Sequence, residues 1–161
     1  MSFAVIGLGG NLGDPVEAFG SAARMLDATP GLRVLARSKL YETAPIGPPQ
    51  PHYLNAALRL ELAISPRALL RRCLEIERAH GRDREKEIRF GPRTLDLDVL
   101  YVDGVVMHED DLVVPHPRLE ERAFALVPLL DVAPELEPRY RHASGLTQGG
   151  IREVPWPPSA G

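Results

Sequence analysis

Apolar and polar positions alternate most regularly over residues 53–64. Leu54, Ala56, Leu58, Leu60, Leu62 and Ile64 fall on one side there, and Tyr53, Asn55, Arg59 and Glu61 on the other. Strand side chains point alternately to two faces, so this stretch predicts a half-buried strand. Residues 94–102 repeat the pattern, with Leu95, Leu97, Val99 and Tyr101 on one face and Asp96, Asp98, Leu100 and Val102 on the other. The short apolar run from Phe3 to Leu8 predicts a buried strand. Residues 32–42 predict another, with Leu32, Val34, Ala36 and Leu40 on its apolar face. Asp14-Pro15 is an N-cap and first-turn pair, opening a helix that should run to about Ala28. Ser65-Pro66 opens a second helix, with Leu69, Leu70, Cys73, Leu74 and Ile76 as its buried stripe and Gly81 just past its end. Asp103-Gly104 predicts a two-residue turn, with Val105 to Met107 returning antiparallel to the 94–102 strand. Residues 122–130 predict a short helix, and residues 138–161 are expected to be irregular. The order β-α-β-β-α-β up to that turn points to an α+β fold, and the length of 161 residues to one domain over 1–161.

Composition changes this picture little. Hydrophobic residues make up 44% and charged residues 25%, which is ordinary for a globular chain. A net charge of −3 gives no general attraction to nucleic acid or to an anionic membrane surface, so any anion site must be a local cluster. Cys73 is the single cysteine and falls on an apolar helix face, which predicts a core residue. The first residues lack a basic segment and a long apolar run, and no stretch has the length of a membrane span. The expectation is a cytoplasmic protein.

The candidate chemistry starts at Asp96 and Asp98. Carboxylates at i and i+2 of one strand lie roughly 7 Å apart, close enough to share one hard cation or a pair. A solvated polar face fits the same spacing, but Leu100 and Val102 beyond the acids make that face apolar again, as in the floor of a cleft. The run 82–93 leading into this strand has five basic against three acidic residues. Arginines beside paired carboxylates suit a polyphosphate with bound Mg²⁺. His116, Arg118 and Arg122 form a second group able to meet an anion. Residues 43–51 hold four prolines and form a stiff loop, directly followed by Tyr53 and Asn55 on a polar face. An amide that donates and accepts suits a heterocycle edge, although a strand-end cap fits equally well. Glu77 sits near the end of its helix, where an acid opposes the dipole, and this hints at a specific partner. The glycine cluster at 7–13 fails the dinucleotide spacing, because Leu12 stands where the third glycine belongs. No phosphate-loop motif of the G-x-x-x-x-G-K type occurs in the chain.

The stretch Gly91-Pro92-Arg93-Thr94-Leu95-Asp96-Leu97-Asp98 resembles the signature of the hydroxymethyldihydropterin pyrophosphokinase family. The resemblance continues through Gly9 to Leu12, Tyr41 to Gly47, Tyr53 to Ala57, Glu77 with Gly81-Arg82, Val114-Pro115-His116 and Ala133 to Leu136. It implies a ferredoxin-like core, a mainly antiparallel sheet with helices on its faces. It also implies transfer of pyrophosphate from ATP to the hydroxymethyl oxygen of 6-hydroxymethyl-7,8-dihydropterin in folate biosynthesis, with release of AMP. By the same resemblance Asp96 and Asp98 bind two Mg²⁺ ions, and Arg82 and Arg93 hold the phosphates, with Arg84 a further candidate. Leu70, Arg71, Glu77, Val99, Val113, His116 and Arg122 belong to the nucleotide side. Thr43, Ala44, Pro45, Ile46, Gly47, Tyr53 and Asn55 form the pterin pocket, with Phe90 and Phe124 stacked on the ring. Phe90 stands where a tryptophan is often found, and Pro117 replaces an aromatic of some members. A D-x-D sugar-nucleotide transferase is one rival reading, against which the proline loop and the Tyr53/Asn55 pair argue, and a non-catalytic nucleotide-binding or interaction module on the same fold is the other.

Overall fold

The computed structural model describes residues 2–44, 49–81 and 94–158. In chain order the elements are β1 (Ser2–Gly10), α1 (Pro15–Asp27), β2 (Leu32–Arg37), β3 (Leu40–Thr43), β4 (Tyr53–Leu62), α2 (Pro66–Ala79) and β5 (Asp96–Val102). They continue with β6 (Met107–Glu109), β7 (Leu112–Val114), α3 (Ala123–Val132), α4 (Glu137–Tyr140) and β8 (Ile151–Val154). Both main helices begin where the sequence places them. Asp14 Oδ1 accepts the Glu17 N–H at 3.1 Å, and Ser65 Oγ accepts the Ala68 N–H at 3.1 Å. Each cap satisfies one of the donors that a helix start leaves unpaired.

The sheet runs β5-β1-β4-β3-β8, with β2 also paired to β4, and every pairing is antiparallel. Read through β5, β1, β4 and the β2–β3 edge, this is the ferredoxin-like order that the family resemblance implies. α1 and α2 cover one face, where Phe19, Leu26, Leu69 and Ile76 pack on Ile6, Leu58, Leu60 and Leu97. α3 covers the other face, where Leu126 and Leu129 pack with Val5, Ala57, Leu100 and Tyr101.

Two bulges change which side chains face which core. In β5 the register passes from Val5↔Tyr101 to Ile6↔Val99, so Leu100 is the extra residue. Leu95, Leu97 and Val99 point into the α1/α2 core as predicted. Beyond the bulge Tyr101 and Val102 have exchanged faces, with Val102 in that core and Tyr101 under α3. In β2 the register passes from Val34↔Leu60 to Ala36↔Arg59, and Ala36 leaves the face of Leu32 and Val34. An inserted residue shifts the period-2 pattern by one, and strict alternation across it cannot hold. The expected single strand 32–42 is also broken at Ser38-Lys39. There Ser38 exchanges bonds with Ala57, donating its N–H to the Ala57 carbonyl at 2.9 Å and accepting the Ala57 N–H on Oγ at 2.8 Å.

The turn at Asp103-Gly104 forms, closed by Val105 N–H on the Val102 carbonyl at 3.1 Å. The returning strand does not pair with β5. β6 pairs with β7 in a separate two-stranded sheet around Asp110-Asp111. β5 has other partners along its outer edge: Glu77 Oε2 accepts the Leu97 N–H at 2.8 Å, and the Leu100 carbonyl accepts the His116 N–H at 2.9 Å. The segment 138–161, expected to be irregular, holds most of α4, a 3₁₀ turn at Ser144–Leu146 and β8, which pairs with β3.

Candidate active site

The sheet register builds the site. Asp96, Gly9, Asn55 and Tyr41 lie opposite one another across β5, β1, β4 and β3. One pair further along, Asp98 lies opposite Gly7, which lies opposite Ala57. Glycine keeps the floor open at Gly9 and makes room for the buried Leu100 side chain at Gly7. A Cβ on Gly9 would stand 3.4 Å from Asn55 Oδ1 and 3.8 Å from Asp96 Cβ, between the amide and the acid. A Cβ on Gly7 would meet the Leu100 side chain at 3.1 Å.

Above this floor lies a cleft of about 650 Å³, lined by Gly9, Thr43, Ala44, Tyr53, Asn55 and Asp96 from the sheet side. Arg118, Glu121, Arg122, Ala123 and Phe124 line it from the start of α3, and Gln148 to Ile151 from the chain leading into β8. A smaller cavity of about 250 Å³ lies beside α1, with Phe19, Arg24, Arg37 and Trp156 in its wall. Only the larger one collects a sheet carboxylate, arginines, an amide and aromatic rings, the convergent polar set of a binding site.

Each functional side chain is held by neighbours. Asn55, buried, donates from Nδ2 to Thr43 Oγ1 at 3.1 Å. Asn11, also buried, donates from Nδ2 to Gln50 Oε1 and to the Pro51 carbonyl, both at 2.9 Å. It thereby ties the turn after β1 to the end of the proline-rich loop. Tyr41 donates its hydroxyl to Asp131 Oδ2 at 2.6 Å, linking the sheet floor to α3. Burial first, and then that bond, push the Tyr41 phenol well above its ordinary pKa, so it stays a donor. The partner that the position of Glu77 hinted at is the backbone of β5. With 1% of its surface exposed, Glu77 fixes the one residue that stands between Asp96 and Asp98.

Arg122 precedes α3 in the N-cap position, with its guanidinium carbon 5.4 Å from the centre of the Phe124 ring. Burial and the neighbouring Arg118 lower its pKa, while Asp98 and Asp96 raise it. Arg122 is therefore within electrostatic reach of both acids. His116 is held below its ordinary pKa by burial and then by Arg122, against an opposing pull from Asp96. Its Nδ1 accepts the Arg118 N–H at 3.2 Å, which leaves the proton of the neutral ring on Nε2.

The sequence-predicted pterin residues Thr43, Ala44, Tyr53, Asn55 and Phe124 meet in the cleft with Asp96 and Arg122. Val99 does not join them. It is 5% exposed and faces the α1/α2 core, because it occupies the β5 face opposite to Asp98. Leu70 packs against that same core from α2, Arg71 is exposed, and Val113 is half-buried on β7. Cys73 is fully buried, and its thiol is pushed up to about 12 by desolvation first and then by Glu77 and Asp98, as suits a core residue. Pro45, Ile46, Gly47, Arg82, Arg84, Phe90 and Arg93 lie outside the described residues. Gly9 and Gln148 to Ile151 were not predicted. The signal for Gly9 is a residue without a side chain two before the Asn11 turn; β8 has no local signal.

Among the described residues no three of His, Cys, Asp and Glu gather as a metal site. Asp96 and Asp98 offer two hard oxygen donors, which fits a Mg²⁺ ion whose other positions are filled by water and phosphate oxygens. They do not fit zinc, which favours nitrogen and sulfur ligands.

The family model for 7,8-dihydro-6-hydroxymethylpterin-pyrophosphokinase matches residues 5–134. The 2-amino-4-hydroxy-6-hydroxymethyldihydropteridine pyrophosphokinase of Methylorubrum extorquens is 47% identical over 137 residues, covering 84% of this chain and 85% of that protein. The protein of the same name from Bacillus subtilis is 36% identical over 152 residues, covering 94% of this chain and 89% of its own. Among solved structures, a triple mutant of the Plasmodium falciparum HPPK-DHPS chain superposes with a TM-score of 0.68 at 12% identity. That match covers 95% of this chain and 45% of the longer one, so this chain spans about half of it, and the likeness is one of fold.

Proposed function

The chain belongs to the 7,8-dihydro-6-hydroxymethylpterin-pyrophosphokinase family, whose reaction moves pyrophosphate from ATP to hydroxymethyldihydropterin, and we propose that the 650 Å³ cleft is where this chain performs it. The observation that carries the reading is the row Asp96–Gly9–Asn55, which puts a metal-type acid and a heterocycle-type amide on one floor without a side chain between them. The flat ring would lie over Gly9 against Asn55, Thr43, Tyr53 and Phe124, with its hydroxymethyl arm toward Asp96. Asn55 can donate to one ring atom and accept from another, so its orientation selects the edge of the heterocycle.

Mg²⁺ held by Asp96 and Asp98 would supply charge neutralisation at the phosphates and acidify the substrate hydroxyl. The chain's own groups do the rest. Arg122, within electrostatic reach of both acids, balances the negative charge that develops on the phosphate oxygens. Neutral His116 offers its Nε2 proton to ATP and, with its depressed pKa, carries no charge at neutral pH. The hydroxymethyl oxygen forms a bond to the β-phosphorus, the bond from that phosphorus to the α,β-bridging oxygen breaks, and AMP leaves with the electron pair. The substrate proton passes to solvent. Arg82, Arg84 and Arg93 keep the phosphate-holding role that the family resemblance gives them, and two Mg²⁺ ions acting in a cytoplasmic monomer complete the reading. Among the described residues no helix is long and apolar enough to cross a membrane.

The test is to incubate the protein with Mg²⁺, ATP and 6-hydroxymethyl-7,8-dihydropterin and to separate the products. AMP and pterin pyrophosphate in equal amounts are expected. ADP as the stoichiometric nucleotide product overturns the mechanism.

A further inference from the structure

One wall of the cleft comes from outside the stretch that carries the family resemblance. The family match ends at residue 134, yet Gln148, Gly149, Gly150 and Ile151 line the cleft beside Thr43, Ala44 and Asn55. Ile151 reaches that place because β8 adds to the free edge of β3, with Thr43 opposite Ile151 and Tyr41 opposite Glu153. Gly150, at φ +88°, makes the turn into the strand, a conformation that a side chain would oppose.

A four-residue edge strand is weakly held by its own bonds, and here it is fastened from beyond its end. Two residues after β8, Trp156 crosses to the α1 face of the sheet. Its Nε1–H donates to the Ser38 carbonyl at 3.0 Å, its ring meets Phe19 edge-on at 6.4 Å, and the Arg37 guanidinium lies 3.8 Å from the ring centre. Ser38 is the buried residue that bridges the break between β2 and β3 by bonding to Ala57. Trp156 is thus tied to a fixed point of the sheet, and β8 is held between that anchor and its ladder to β3.

We propose that β8 forms the outer wall of the heterocycle end of the cleft, that Ile151 is a specificity-determining residue for the flat ring, and that Trp156 is the positioning residue that holds Ile151 there. The proposal rests on the reading of this cleft as the pterin site. Ile151 supplies an apolar edge next to the polar pair Thr43 and Asn55, and so limits how far a bicyclic ring can slide along the floor. Its contact is made with bound substrate and transition state alike, so its loss weakens pterin binding and spares the chemical step.

The experiment is steady-state kinetics on Ile151→Ala, Trp156→Ala and Trp156→Phe, with Asn55→Ala as the control for the cleft itself. Pterin is varied at saturating Mg²⁺–ATP, and ATP at saturating pterin. Ile151→Ala should raise the pterin KM roughly tenfold, the scale of removing methyl groups from an apolar contact, with ATP KM and kcat within about twofold of the parent. Trp156→Ala should do the same from the opposite face of the sheet. Trp156→Phe should recover only part of the loss, because a ring still packs against Phe19 but the anchoring bond to Ser38 is gone. If Asn55→Ala raises the pterin KM and Ile151→Ala does not, the wall assignment is overturned while the cleft reading stands. If neither variant changes the pterin KM, the cleft reading fails and the proposal falls with it. Should Trp156→Ala fail to fold, Trp156→Phe decides the positioning role, which is overturned if that variant keeps the parental pterin KM while Ile151→Ala does not.

Discussion

Glu77 permits a prediction in which fold and site can be separated. Its Oε2 accepts the Leu97 N–H at 2.8 Å, and both residues are buried, at 1% and 2% exposure. Glu77→Leu removes the acceptor at nearly constant volume and leaves a buried donor unpaired, which costs about 1–3 kcal/mol. At about 2–4 °C per kcal/mol for a chain of this size, the melting temperature should fall by ~2–12 °C. Glu77→Gln keeps an oxygen at the same reach and should cost no more than about 1 kcal/mol, or ~2–4 °C. The second readout is the metal. Leu97 stands between Asp96 and Asp98, so loosening its N–H lets the two carboxylates change their spacing. Losing such a supporting bond typically weakens metal binding about 10–100-fold. The assays are thermal unfolding followed by circular dichroism, and Mn²⁺ titration followed by electron paramagnetic resonance with a non-hydrolysable ATP analogue present. Glu77→Leu should weaken Mn²⁺ binding at least about tenfold, and Glu77→Gln only slightly. A leucine variant with parental melting and parental Mn²⁺ affinity refutes the reasoning, and so does a glutamine variant as damaged as the leucine one.

Asp96→Ala and Asp98→Ala should each lower kcat by a thousandfold or more, roughly the several kcal/mol that metal-held charge stabilisation supplies, with folding intact by circular dichroism. Near-parental turnover of either variant with Mg²⁺ present would remove the metal assignment. His116→Asn should raise the ATP KM while leaving the shape of the pH–rate profile at saturating ATP unchanged. A loss of ~10²–10⁴-fold together with a vanished ionisation would make His116 the general base. The folded-state pKa of His116 lies below its unfolded value, so the unfolded chain binds the proton first as pH falls. Its contribution to stability should be complete above the ordinary histidine range and shrink as pH drops from there through the depressed value. Denaturant midpoints that show the same acid-side slope in the His116→Asn variant would contradict that. Gly7→Val should lower the melting temperature, because its first added carbon already presses on Leu100 at 3.1 Å.

The placement of several candidate site residues was legible because it is local. Asp96 and Asp98 share a face by strand geometry alone, and Tyr53 and Asn55 follow the proline loop in the same way. The caps at Asp14 and Ser65 are satisfied within three residues, so α1 and α2 begin where their sequence says. The family resemblance added the roles, and the sheet order agrees with the β-α-β-β-α-β reading. A pattern of side-chain size and polarity carries all of this within windows of a few residues.

The rest depends on contacts between residues far apart in the chain. The bulges at Leu35 and Leu100 arise from pairing with β4 and β1, and each reverses the faces that strict alternation assigns. The outer edge of β5 is met by Glu77 and His116, so the stretch after Gly104 pairs with its own hairpin partner. β8 has only four residues, two of them charged, and becomes a strand because β3 lends it a ladder and Trp156 an anchor on Ser38. The sequence by itself determined which residues can hold a metal, an anion or a ring. The tertiary structure decided that Gly9 lies between Asp96 and Asn55, because register is fixed by the hydrogen bonds of paired strands and by no property of either strand alone.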